Sequence, residues 1–107
     1  MHGVSAYGQL TNETAFALEE QGAGLVACLS GIGGGINAKI SAAKDADRRI
    51  ALDGCRLRCA QKILEKAGLK DNVSIVVLDS GIKVSGKKPT KNETNEFADY
   101  VRKIVGE

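Results

Sequence analysis

Three short apolar runs set the terms for this fold: GLVAC at residues 24–28, RRIALD at 48–53 and VSIVVL at 73–78. They are near-continuous in apolar character and do not alternate strictly. That is the pattern of strands covered on both faces, as in parallel sheets. The last run is also the richest in β-branched residues, which suit a pleated surface. Segments of helical period separate the runs. Residues 9–21 place Leu10, Thr14, Ala17 and Leu18 on one face, and 36–46 carry Ile36, Ile40 and Ala43 inward. Residues 56–67 align Ala60, Ile63, Leu64 and Ala67. The helix after Thr90 has a stripe of Phe97, Val101, Ile104 and Val105. Thr90 and Glu93 stand at capping-box spacing. Residues 1–8, 29–35 and 79–89 read as loops.

Alternation of helices and strands implies a parallel sheet with helical crossovers. The expectation is a small three-layer α/β domain: a mostly parallel sheet of about three strands flanked by helices. The 107 residues make one domain, 1–107, without a repeat or an internal boundary. A first strand before the opening helix would complete its crossover, and the chain does not supply one.

Charge narrows the partners. Fifteen basic and thirteen acidic residues leave a net charge of +2, which is no nucleic-acid or membrane footprint. The aromatics are Tyr7, Phe16, Phe97 and Tyr100, too few for a base-stacking platform. No apolar stretch approaches the roughly 20 residues that span a bilayer, and no signal segment opens the chain. The reading is a cytoplasmic protein with reduced thiols. Protein partners are not specified by the residues.

Cys28, Cys55 and Cys59 are the three cysteines, an odd number that fits no disulfide framework. Cys28 ends the first run, and Cys55 follows the second by two residues. In a parallel sheet both fall at the carboxyl edge, where open α/β sheets bind ligands. Cys59 lies one helical turn past Cys55. A crevice gathering all three thiols is therefore expected. Soft thiolates in a reducing compartment favour zinc, and a helix start near Cys55 favours thiolate. The bland alternative, three small buried hydrophobes, is outweighed by their shared edge. His2 and Asp79 are candidate fourth ligands, with a solvated terminus and a turn aspartate as their plain readings. With three protein ligands, the fourth position is open to water or a small molecule, which suits catalysis, metal delivery or sensing alike.

Two rivals remain. The same cysteines could serve metal-free redox or sulfur-carrier chemistry, although the thioredoxin-like spacing is C-x-x-C and not C-x-x-x-C. The glycine run 31–36, with Asp53 about 20 residues on, invites an anion- or nucleotide-binding reading. The pattern G-x-G-x-x-G fails there because Ile36 holds the sixth position. Glycines that let the loop turn sharply or pass close to the cysteines are the simpler account. A phosphatase loop is excluded, since Gly34 stands where C-x5-R needs arginine. The lysines at 83, 87, 88 and 91 read as a solvated loop.

Three segments together resemble the DGC-domain family: Asp53-Gly54-Cys55 followed by Arg56-Leu57-Arg58-Cys59, the run CLSGIGGG at 28–35, and SAYGQL at 5–10. The likeness covers roughly residues 3–85. It implies a zinc-binding protein whose biological role is not assigned to an enzyme activity. Gly3, Ser5 and Tyr7 would line the crevice, and Gly54 and the glycines at 31–35 would let backbone approach the metal. The family's first motif opens with a cysteine after an initial strand. Met1 stands at that cysteine's place and His2 beside it, so the resemblance does not carry over a four-cysteine site.

Overall fold

A computed structural model describes residues 6–86 and 88–106. His2, Gly3, Ser5 and Lys87 therefore lie outside the described residues. The elements are α1 (Ala6–Glu20), α2 (Leu29–Gly33), α3 (Asn37–Lys44), β1 (Ile50–Asp53), α4 (Cys59–Lys66), β2 (Val73–Val76), a 3-10 turn (Val77–Ser80) and α5 (Lys91–Val105).

The two strands pair in parallel, with Ile50 beside Val73, Ala51 beside Ser74, Leu52 beside Ile75 and Asp53 beside Val76. A parallel pair needs a crossover, and α4 supplies it. Successive side chains point to opposite faces of a strand, so β1 feeds two cores, through Leu52 and through Ala51. On one face Leu10 of α1 meets Ile75, Val77 and the Phe97, Val101 and Val105 stripe of α5, with Leu52 packed against them. On the other face Ala51 meets Ile32, Ala43, Ala60, Leu64 and Leu69 from α2, α3, α4 and the turn after it. This is the expected mixed α/β domain, a parallel sheet flanked by helices.

The sheet has two strands among the described residues, not about three. Residues 24–28 form neither helix nor strand, although Leu25 and Val26 are apolar. Leu25 is 91% exposed, and the Val26 amide donates to Glu19 Oε1 at 2.9 Å in place of a ladder partner. Apolar character alone does not make a strand; it needs an adjacent edge at roughly 4.8 Å.

Other boundaries shift for local reasons. Helix α1 begins at Ala6, inside the segment read as a loop. Residues 29–33 of the glycine-rich stretch are helical. The third apolar run ends as a strand at Val76 and continues as the 3-10 turn. Helix α4 starts at Cys59, not Arg56, because Arg58 takes a left-handed conformation with φ 55°. Ile36 precedes α3 as its N-cap and is exposed. Ile104 turns outward from α5 and is exposed as well. The capping box forms as expected: Thr90 Oγ1 accepts from the Glu93 amide at 3.1 Å, and Glu93 Oε1 accepts from the Thr90 amide at 2.7 Å.

Candidate functional site

The Asp-Gly-Cys segment leaves β1 at the carboxyl edge, and each of its residues has a separate physical task. Asp53 is 4% exposed. Its Oδ1 accepts from the Ala60 amide at 2.7 Å and its Oδ2 from the Gln61 amide at 3.3 Å. The carboxylate thus occupies the otherwise unpartnered amides of the first turn of α4 and meets the positive end of the helix dipole. It is a structural anchor and is not available as the ribose-binding acid weighed from its spacing. No local signal would have revealed this, since Asp53 stands six residues before the helix that it caps.

Gly54 is fixed by a close approach. A Cβ there would lie 2.8 Å from the Gly8 nitrogen and 2.9 Å from the Tyr7 carbonyl carbon. Both are backbone atoms of α1 and cannot rotate away. The start of α1 is therefore held against the end of β1, and two segments nearly fifty residues apart meet. Cys55 comes next, exposed. The loop closes as a turn with the Arg58 amide donating to the Cys55 carbonyl at 3.2 Å. Arg58 reaches back to donate to Ser74 Oγ at 2.9 Å, and Cys59, also exposed, opens α4.

Cys28 stands at the N-cap of α2 and is exposed too. Gly31 is buried beneath it. A Cβ on Gly31 would fall 2.7 Å from Lys39 Cγ and 3.2 Å from Cys28 Sγ. Gly31 therefore leaves room for the Lys39 side chain and the Cys28 thiol, and no other glycine of the stretch lies against a cysteine. Helix α2 in turn packs against α4, with Ile32 beside Ala60 and Leu64 in one cluster.

Asp79 lies in the 3-10 turn after β2 and pairs with Arg56, with Oδ1 to Nη2 at 3.1 Å. Both groups are well exposed, so the pair adds little to stability. It does tie the turn after β2 to the loop that carries Cys55. Among the described residues, no group of three or more His, Cys, Asp or Glu side chains is placed to hold a metal ion. The three thiols are free and exposed, and they do not form a ready-made cage.

A cavity of about 490 Å³ opens alongside β1. Residues 25–29 and Ile50, Ala51 and Leu52 of β1 are among its lining residues. Residues of α1, α3 and α4 line it as well. Cys28 lines it; Cys55 and Cys59 do not. Sequence reasoning missed this cavity because it assigned residues 24–28 to the sheet. No described helix is long and apolar enough to cross a membrane.

The chain was compared with known proteins. It is 27% identical over 81 residues to the anaerobic and virulence modulator AnvM of Pseudomonas aeruginosa, a match covering 76% of this chain and 62% of that protein. No solved structure matches. The DGC-domain family model matches residues 2–104, and this span takes in the Asp53–Cys59 loop, the Cys28 turn and the start of α1 just described. The chain belongs to the DGC-domain family.

Proposed function

We propose that this protein binds a soft metal ion, zinc first, through Cys28, Cys55 and Cys59. The observation that carries the reading is that all three cysteines are exposed, unpaired thiols standing at starts of helices or in the loop between a strand and its helix. Thiolate donors are the chemistry that zinc prefers. Their spread across two elements and one loop means that binding closes the site around the ion instead of filling a preformed cage. Zinc held by three protein ligands keeps a coordination position open and supplies a Lewis acid there. The Pseudomonas relative is named a modulator, and a sensing role for such a centre suits that name.

The test is metal content. Protein purified without chelator or metal-affinity resin is expected to carry close to one zinc per chain by elemental mass spectrometry. Cys28→Ser, Cys55→Ser and Cys59→Ser are each expected to lose it. Wild-type protein that takes up no zinc on reconstitution under reducing conditions would overturn the reading.

A second reading is thiol chemistry without metal. It is favoured by the lack of any assembled donor group among the described residues. It predicts that the three thiols alkylate at the same rate with and without zinc, whereas a metal site protects them until a chelator is added.

A further inference from the structure

One residue in the loop between Cys55 and Cys59 is held against its own backbone preference. Arg58 has φ 55° and ψ 50°. The other non-glycine residue at positive φ among the described residues is Asp71, a type whose short polar side chain tolerates that region. Arginine has no such means, and a helix N-cap ordinarily lies in the extended region. A conformation of this kind persists only where the surroundings over-determine it. Three hydrogen bonds do so here. The Arg58 amide donates to the Cys55 carbonyl at 3.2 Å, and the Arg58 carbonyl accepts from the Lys62 amide of α4 at 2.9 Å. Arg58 Nη1 donates to Ser74 Oγ at 2.9 Å. Ser74 is a half-buried residue of β2, in register with Ala51 of β1. Arg58 is thus tied to the residue that bears one thiol, to the helix that the next thiol opens, and to the sheet. Arg56, in the same loop, differs on both counts: its φ is not positive, and its partner Asp79 is an exposed one.

We infer that Arg58 is a positioning residue: its left-handed turn, locked onto Ser74, sets the direction of Cys59 relative to Cys55 so that the two thiols close on one soft ion. The ion rests on the metal reading proposed above; the constraint on the thiols does not, because it belongs to the metal-free chain. Arg58 is the hinge between the Cys55 turn and α4, so its φ and ψ fix how the helix start faces the turn. Its side chain acts through the tether to Ser74 and not through its charge. Groups outside a ligand set that orient the ligands tune metal affinity.

Two probes test this. The first is zinc, titrated against the reduced full chain in competition with a chromogenic chelator. The second is phenylarsine oxide, applied to a Cys28→Ser chain so that Cys55 and Cys59 are the thiols that remain. The arsenical condenses with two thiols held close together, forming two As–S bonds and releasing water, with no change of oxidation state. Ser74→Ala, which alters no thiol, is expected to weaken zinc binding and slow arsenical capture several-fold. Arg58→Gly keeps the left-handed turn and loses the tether, and is expected to match Ser74→Ala. Arg58→Val loses both, because a β-branched residue resists positive φ, and is expected to fall further. Arg56→Ala removes the same charge from the same loop and is expected to stay near wild type on both probes. Alkylation of the single thiols by iodoacetamide, which needs no second thiol, is expected to be unchanged throughout. Alkylation that changes in step with capture overturns the proposal, since the variants then act by a general loss of structure. So do equal effects of Arg58→Gly and Arg58→Val, or a loss in Arg56→Ala as large as theirs. Capture that is absent from the Cys28→Ser chain, or unaltered by Ser74→Ala, overturns it as well. A wild-type chain that takes up no zinc sinks the metal reading alone, and arsenical capture then decides the role of Arg58.

Discussion

At the scale of single residues, the Asp53-Gly54-Cys55 segment separates into an anchor, a contact and a presented thiol. The glycine is the most constrained of the three. Any side chain at position 54 strikes the backbone of Tyr7 and Gly8 below 3 Å, so either α1 shifts or the loop after β1 does. Gly54→Ala is expected to cost about 1–3 kcal/mol, the usual range for overpacking a tight contact. Urea denaturation followed by circular dichroism measures it. The same shift displaces Cys55, so the variant also ties stability to the proposed metal uptake.

At the scale of elements, α5 is fixed by its ends and its stripe. The Glu93 carboxylate accepts from the backbone amides of Thr90 and Ser85 and from the Ser85 hydroxyl. These bonds, the one from the Thr90 amide foremost, hold its pKa below the usual value of 4.5. A carboxylate with a lowered pKa in the folded state contributes stability that is present above pH 4.5 and lost as pH falls through the folded-state value. Glu93→Gln is therefore expected to reduce thermal stability near neutral pH and to flatten its decline below pH 4.5. Melting curves from pH 7 to pH 3 compare the two chains. A parallel decline in both would assign the pH dependence to other groups. This helix was legible from the sequence because its start signal and its stripe are local. The helix after β1 was legible in its apolar face, Ala60 and Leu64, but not in its start. Its cap comes from Asp53, outside the helix and beyond the reach of any capping pattern.

At the scale of the whole molecule, two clusters on opposite faces of a two-stranded sheet carry the packing. Phe97 is fully buried in the first, and Phe97→Ala is expected to cost about 3–5 kcal/mol. Leu25 is equally apolar and sits in a run that reads as a strand, yet it is almost wholly exposed. Leu25→Ser is expected to change stability by no more than about 0.5 kcal/mol, as surface substitutions do. Chemical denaturation of both variants checks the contrast. A loss of several kcal/mol at Leu25 would mean that residues 24–28 pair with β1 in solution, and would return the third strand to the sheet.

What the sequence determined by itself were the properties that repeat or act over a few residues. These were the helical faces of Leu10, Leu64 and Phe97, the β-branched run at 73–76, the Thr90–Glu93 cap and the family-specific spacing of Asp53, Gly54 and Cys55. Tertiary structure alone decided the rest, because each remaining point depends on what lies across space from a residue. Residues 24–28 could not become a strand without an edge to pair with, and among the described residues they pair with neither β1 nor β2. Asp53 became a cap because α4 begins within reach of its carboxylate. Ile36, before α3, and Ile104, on α5, stayed exposed because no described element covers them. Pairing, capping at a distance and coverage are relations between elements, and no periodicity within one element encodes its neighbour.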